Sequence, residues 1–126
     1  PFFFDYYLNE ILRRGAAWRR ALPQAEAFLT GLRELYGREQ AQLPHYNESQ
    51  LEAHWFKPIF RLLGYASWEP QPTIPGWQGK IKKPDFVFFA DEAARQTAAS
   101  QQNRADYAAA ALTLAEVKQW GVNLSR

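Results

Sequence analysis

The chain contains no cysteine, which excludes disulfide bonds, thiolate catalysis and zinc sites built on thiolates. Histidine is scarce as well, because His45 and His54 are the only two and do not form the cluster of a histidine metal site. Any metal bound by this protein is therefore expected to be a hard cation held by oxygen ligands.

Long hydrophobic runs are also missing. Every apolar run falls far short of the roughly 18 residues that indicate a membrane-spanning helix, and the N-terminal PFFFDYYL lacks the basic start and small-residue cleavage pattern of a secretory signal. The sequence therefore predicts a cytoplasmic protein with no membrane partner. Because the chain begins at Pro1 and stops at Arg126 just after a strand-like segment, we expect a piece of a longer polypeptide.

What the chain does have is apolar and aromatic content. Of its 126 residues, 47% are apolar and 16% aromatic, enough for one folded domain with a substantial core. The net charge of +2 is too small to indicate nucleic-acid binding by itself. The position of individual charges must supply that information.

Apolar periodicity predicts helices in the first half of the chain. Residues 6–20 form an amphipathic, Arg-rich pattern weakened at Gly15, and residues 23–36 form a second one. A third helix is expected over residues 47–64, where Asn47 and Gln50 have the spacing of a capping box. Pro58 is expected to bend this third helix.

The second half of the chain has strand character. Residues 65–84 indicate a short strand and a long turn, and DFVFFA, residues 85–90, is a compact β-type run. Residues 91–110 are polar and Ala-rich, which predicts a helix or a partly mobile insertion, and residues 111–120 are the last strand. These patterns together predict an α/β (α+β) fold.

The last strand contains an acid and a base inside an apolar run. In a strand, alternate side chains share a face, so Leu112, Leu114, Glu116 and Lys118 are expected to point the same way. The two leucines would lead this face into the core, and the charged pair would emerge at the end of the sheet.

Asp85 is expected at the end of a strand too, because it follows Pro84, which cannot donate to a β-ladder. If the two strands pair, Asp85 and Glu116 converge at a separation that suits one divalent cation. Mg²⁺ prefers one or two carboxylates together with waters and phosphate oxygens. Lys118 would then orient or help to deprotonate an attacking water and offset charge on phosphorus.

The third helix adds two more carboxylates. On a helical wheel, Glu48 and Glu52 share the stripe of Trp55 and Ile59 and are expected to face the core. Buried carboxylates need partners, which a metal site or a network with Lys and Arg would provide.

Each feature also has an ordinary structural explanation. Glu116 and Lys118 fit a same-face ion pair on an edge strand, and Asp85 fits a plain strand start. Glu48 and Glu52 fit the first turns of a helix, where negative charge suits the helix dipole. The features follow one another in the order acidic helix, Pro-Asp and Glu-x-Lys. This order favours a metal site over the separate structural explanations.

With Pro84-Asp85 and Glu116-Val117-Lys118 as its motif halves, the chain resembles the PD-(D/E)xK nuclease superfamily. NESQLEAHWFKPIFRLLGY resembles its acidic helix ending in Leu-Gly-aromatic, and KKPDFVFF and AALTLAEVKQWGVNLSR resemble its two motif strands. The similarity is to the N-terminal nuclease domain of type IIG restriction endonuclease-methyltransferase-like proteins. It covers residues 47–126, leaving 1–46 as an N-terminal helical segment.

The resemblance implies a Mg²⁺-dependent DNA endonuclease with N-terminal helices packed on a mixed central sheet of restriction-endonuclease-like type. It implies that Asp85 and Glu116 bind one or two Mg²⁺ ions, that Lys118 assists the water nucleophile, and that a helical glutamate supports the site. Glu48 matches that helical glutamate better than Glu52, because it follows Asn47 at the helix start. S-adenosylmethionine is implied only if a methyltransferase domain follows.

Three departures from the family pattern bear on activity. Residues 1–46 carry no motif of the family, and residues 91–110 make the two motif halves unusually distant. The family fold normally continues with a helix and a strand after Glu-x-Lys, so we expect a core truncated at the C-terminus with an open sheet edge. We expect this fragment alone to be inactive, with methyltransferase and target-recognition domains elsewhere in the same polypeptide.

A nuclease also needs contacts to double-stranded DNA, which come mostly from Lys and Arg. Lys80, Lys82 and Lys83 flank Asp85, and we expect this loop to touch phosphate, with a solvated basic turn as the other explanation. Trp77 and Trp120 either stack on bases or pack, and packing is expected for Trp120.

Two competing functions remain open at the level of sequence. One is a non-catalytic DNA-binding or assembly module that keeps the nuclease fold, with its carboxylates engaged by Lys and Arg. The other is a helical interaction domain with an incidental β part, which predicts that Asp85 and Glu116 lie far apart.

Overall fold

The computed structural model describes residues 2–75 and 80–122. The chain divides into two compact units, Pro1–Arg38 and Glu39–Arg126. In the described ranges, no helix combines the length and the hydrophobicity needed to cross a membrane.

The first unit is helical, in agreement with the sequence. Its elements are α1 (Phe2–Tyr6), a π-helical turn (Tyr7–Ile11), α2 (Leu12–Arg14) and α3 (Ala16–Glu39). The weak point expected at Gly15 is present, since its extended backbone, with ψ of 144°, separates α2 from α3. The helical patterns predicted separately over residues 6–20 and 23–36 are not divided at Pro23, and α3 runs through that residue because strong helix formers surround it.

The predicted third helix is present in the second unit and is made of three pieces. They are α4 (Glu48–Leu51), a π-helical turn (Glu52–Phe56) and α5 (Lys57–Leu62), preceded by a 3-10 turn (Leu43–His45). The capping box is confirmed: the Gln50 N–H donates to Asn47 Oδ1 at 2.9 Å, and the Asn47 N–H donates to Gln50 Oε1 at 3.0 Å. Gly64 follows the helix with φ of 87°, which suits glycine.

The helix accommodates Pro58 through the π-helical turn just before it. The N–H of Lys57 donates to the carbonyl of Glu52, five residues back. A proline ring crowds the carbonyl four residues earlier and donates no hydrogen bond, so a wider turn at this place relieves the conflict.

Five short strands follow, and all their pairings in the described residues are antiparallel. They are β1 (Ser67–Pro70), β2 (Ile74–Pro75), β3 (Ile81–Lys82), β4 (Phe86–Phe89) and β5 (Thr113–Ala115). One sheet has the order β1-β4-β5, and β2 pairs with β3 in a second sheet. The predicted mixture of helices and strands is confirmed, but the sheet is antiparallel rather than mixed.

The segment 91–110 is helical rather than mobile. It forms α6 (Glu92–Ala99) and α7 (Arg104–Ala109), whose N-caps are Asp91 and Asn103. The side chain of Asp91 accepts from the Ala94 N–H at 2.7 Å, and that of Asn103 accepts from the Ala105 N–H at 2.8 Å. These caps satisfy N–H groups that a helix start leaves without a partner.

The core lies on both faces of β4, all four residues of which are buried. Phe86 and Phe88 pack with Val117 and with partly buried side chains that include Phe56 and Phe60 from the third helix. Val87 and Phe89 form the other cluster, with Ala98 of α6 and Tyr107 of α7. The three-stranded sheet of this unit therefore has helices on both of its faces.

The last strand is shorter than predicted and its apolar face is not in the core. β5 ends at Ala115, and Leu112 and Leu114 are 61% and 54% exposed. The expectation that these leucines lead into the core is wrong. Val117 on the alternate face is the buried residue, because that face meets the aromatic side chains of β4.

Candidate functional site

The two predicted motif strands pair, and their pairing brings the motif residues to one end of the sheet. β4 and β5 are antiparallel with Phe86 opposite Ala115, so Asp85 just precedes one strand and Glu116 just follows the other. A hydrogen bond of 2.5 Å from the Val117 N–H to Asp85 Oδ2 joins the two segments. An arrangement with the two motif halves far apart is thereby excluded.

Val117 is a structural member of the site that the sequence analysis did not single out. It lies between the two charged residues, is 1% exposed and packs with Phe86 and Phe88. Its side chain anchors the segment in the core while its N–H binds Asp85. Its apolar character between two charges was the available signal, since alternate residues face opposite ways.

Glu116 and Lys118 form an ion pair, with Lys118 Nζ 2.7 Å from Glu116 Oε1. The side chains of Glu116 and Lys118 are about half exposed. The hydrogen bond to Glu116 raises the pKa of Lys118, and the negative charges of Glu116, Asp85 and Glu48 raise it further. Lys118 is therefore an ammonium group at neutral pH in this arrangement.

Glu52 is partly buried beside Asp85. Burial raises the pKa of Glu52, the charge of Asp85 raises it further, and Glu48 adds a smaller effect that Lys57 opposes. Together with the effects on Lys118, these shifts show that Glu48, Glu52, Asp85 and Lys118 lie within electrostatic reach of one another.

Glu48 is exposed, so the expectation that both helical glutamates face the core is wrong for this residue. Glu48 is the first residue of α4 and follows its N-cap, where a side chain projects beyond the end of the helix. The π-helical turn also changes the rotation between Glu48 and the later core positions. The helical wheel used for the prediction assumes the same rotation per residue throughout, so it does not account for this turn.

The carboxylates do not form a ready metal centre in this arrangement. Within the described ranges, no group of three or more His, Cys, Asp or Glu side chains is placed to hold a metal ion. Asp85 accepts from Val117, and Glu116 accepts from Lys118. The donor chemistry still suits Mg²⁺, since two adjacent carboxylates and water are its usual ligands.

A basic cleft adjoins the motif residues. It has a volume of about 510 Å³ and is lined by Lys82, Lys83, Pro84 and Glu116 together with Ile74, Pro75 and Leu114. Lys80 is exposed immediately before β3. Two of the three predicted phosphate-binding lysines thus share one cleft with Glu116.

The aromatic and histidine side chains near the third helix are engaged with each other. Trp120 meets Trp55 edge to face, with ring centroids 6.3 Å apart, so it packs as expected on one side while 46% of its surface stays exposed. His54 stacks on Tyr46 at 5.2 Å. Trp77 lies outside the described residues.

No protein-family model matches the chain, and comparisons with curated proteins and with solved structures found no match.

Proposed function

We propose that this chain is the nuclease module of a PD-(D/E)xK enzyme that hydrolyses phosphodiester bonds of double-stranded DNA. The meeting of Asp85 with Glu116 and Lys118 at one end of the sheet supports this proposal most directly. We propose a type IIG restriction-modification context, with methyltransferase and target-recognition domains as partners in the cytoplasm.

In this proposal, Asp85 and Glu116 hold one or two Mg²⁺ ions, and Glu48 and Glu52 support them. Bound Mg²⁺ supplies Lewis-acid activation of water and neutralises charge on the phosphate. The pKa of Glu52 is raised first by burial and then by the charge of Asp85; the contribution of Asp85 supports this assignment, because a bound cation would offset the repulsion between the two carboxylates.

Lys118 acts in this proposal as a fixed positive charge. Its raised pKa, caused first by the hydrogen bond to Glu116, disfavours loss of its proton at neutral pH. The ammonium group orients the attacking water and stabilises charge that develops on phosphorus. Of the two roles that the motif allows, charge stabilisation therefore fits this environment better than proton abstraction.

Lys80, Lys82 and Lys83 hold the DNA backbone in the proposed complex. The cleft that Lys82 and Lys83 share with Glu116 supports this assignment, because phosphate bound there would lie beside the Glu116 carboxylate. Contacts to phosphate give affinity without sequence preference. We expect Lys83→Ala to weaken binding to all duplexes alike and to reduce its salt dependence.

Cleavage of supercoiled plasmid by the full-length protein in Mg²⁺ tests the catalytic assignment. We expect Asp85→Asn and Glu116→Gln each to reduce the cleavage rate by about 100-fold or more, the usual loss when a transition-state contact is removed. Glu34→Gln, on an exposed part of α3, serves as the control. Undiminished cleavage by Lys118→Ala protein would contradict the proposal.

Two variants separate the possible roles of Lys118. If its charge is what matters, Lys118→Arg retains much more cleavage activity than Lys118→Gln, because Arg keeps the positive charge. If proton abstraction matters, both variants lose activity equally, since Arg does not deprotonate at neutral pH. Rates measured across pH 6 to 9, about the range in which a general base is revealed, distinguish the two cases.

A non-catalytic DNA-binding module is the second candidate. The engagement of Glu116 by Lys118 and of Asp85 by the Val117 N–H favours it, since neither carboxylate is free. This candidate predicts metal-independent binding of duplex DNA that survives Asp85→Ala and Glu116→Ala. The nuclease proposal predicts that Mg²⁺ raises the Tm of the chain and that Asp85→Asn abolishes this increase.

A further inference from the structure

Large apolar side chains are exposed along α3 at a regular spacing. Trp18, Leu22 and Leu29 are 41%, 42% and 42% exposed. Together with Ala25 and Leu32 they follow alternating steps of four and three residues, which is the a/d repeat of a coiled coil. These five residues form a stripe that we call the α3 seam.

The repeat continues from the seam toward the end of α3. Tyr36 follows Leu32 by four residues and is 47% exposed, whereas the helix break at Gly15 ends the repeat on the other side. Pro23 lies at a b position on the far side of the helix from the seam, so its ring does not obstruct a partner helix. An apolar stripe of this regularity is typical of a helix that packs against another helix.

We propose that the α3 seam binds the seam of a second copy of this chain, with the two helices antiparallel. In the register that places Trp18 against Leu29 of the partner copy and Leu22 against Ala25, each large side chain faces a leucine or a smaller residue. The interface is isologous, so each contact occurs twice. This inference does not rest on the proposed nuclease activity.

The charges beside the seam select the antiparallel orientation. Arg19 and Glu26 occupy e positions and are exposed. In the antiparallel register Arg19 of each copy faces Glu26 of the other, which gives two symmetric ion pairs. In a parallel dimer e positions face g positions, so Glu26 would meet Ala21 of the second copy and the two ion pairs with Arg19 would not form.

Sedimentation equilibrium of the 126-residue chain tests the seam. We expect a monomer–dimer equilibrium for the unchanged chain. Leu29→Glu should weaken the dimer by about 100-fold or more, because two apolar contacts are lost per dimer. Ala27→Glu, at an exposed f position of the same helix, is the matched control and should leave the equilibrium unchanged.

A charge exchange tests the partner and its orientation without disturbing the apolar contacts. Arg19→Glu alone and Glu26→Arg alone should each weaken the dimer by about tenfold, since like charges then face each other. Arg19→Glu combined with Glu26→Arg should restore it. A chain that stays monomeric at all concentrations, seam variants no weaker than Ala27→Glu, or a double variant without recovery would each overturn the proposal.

Discussion

At the scale of single residues, Val117 positions the charged residues on either side of it. Its side chain is buried against Phe86 and Phe88, and its N–H donates to Asp85. The two contacts fix the backbone between Glu116 and Lys118. The acid and the base are consequently held at the surface by a residue that is itself in the core.

Val117→Ala should therefore lower the free energy of unfolding by about 2 kcal/mol, because two buried carbons and their contacts are lost. Val122→Ala is a matched control, since Val122 is 48% exposed, and it should change the stability little. Urea unfolding of both variants measures the difference. Equal stabilities of the two variants would show that Val117 is not an anchor.

Because the pKa of Glu52 is shifted on folding, the free energy of unfolding is expected to depend on pH. The pKa of Glu52 in the folded chain lies above the ordinary 4.5, first because of burial and then because of Asp85. Folding therefore favours the protonated carboxyl. That stabilisation is complete below pH 4.5 and is lost as pH rises through the folded pKa.

We expect Glu52→Gln to be modestly more stable than the unchanged chain at pH 7, because Gln is neutral at every pH. The advantage should shrink on acidification and disappear below the ordinary pKa of glutamate, where Glu52 is already neutral. Urea unfolding at several pH values measures this trend, with the exposed Glu34→Gln as the control. A stability difference independent of pH would contradict the assignment.

At the scale of elements, two arginines link the segment between the two motif strands to earlier parts of the second unit. Arg95 of α6 lies 2.8 Å from Glu69 of β1 and also binds Glu92. Arg104 of α7 donates to the Thr73 carbonyl at 3.0 Å, and its guanidinium lies 4.2 Å from the centre of the Tyr107 ring. These contacts explain why a polar, Ala-rich segment forms ordered helices.

Arg95→Ala should lower the Tm by a few degrees, because it removes a bidentate contact and the link from α6 to β1. Arg14→Ala provides the comparison, since Arg14 pairs with Glu10 within the exposed N-terminal helical segment and such pairs contribute little. Thermal unfolding followed by circular dichroism measures both. If the two variants melt at the same temperature, the link to β1 is not important for stability.

At the scale of the second unit, β4 is the organising element. Its two faces are buried by different layers, with the third helix on one face and α6 and α7 on the other. All four residues of β4, Phe86–Phe89, are apolar, and a continuous apolar run is the sequence pattern of a strand buried on both faces. This pattern is why the strand could be predicted from the sequence.

Much of the candidate site could be predicted because its residues lie close to strong local signals. Pro84 indicated a strand start, and the spacing of Glu116 and Lys118 indicated a shared face. The exposure of Leu112 and Leu114 could not be predicted in this way. β5 lies at the edge of its sheet, and the face that is buried depends on which other elements pack against that edge. The local sequence pattern does not contain this information.

By itself, the sequence determined the helix caps, the position of the motif strands and the absence of thiol chemistry, because each depends on residues that are near neighbours in the chain. The tertiary structure decided which strands pair, which side of β5 is buried and how Asp85 and Glu48 add to the effect of Glu116 on the pKa of Lys118. These features depend on contacts between segments that are distant in the chain, whose geometry is set by packing of the whole unit.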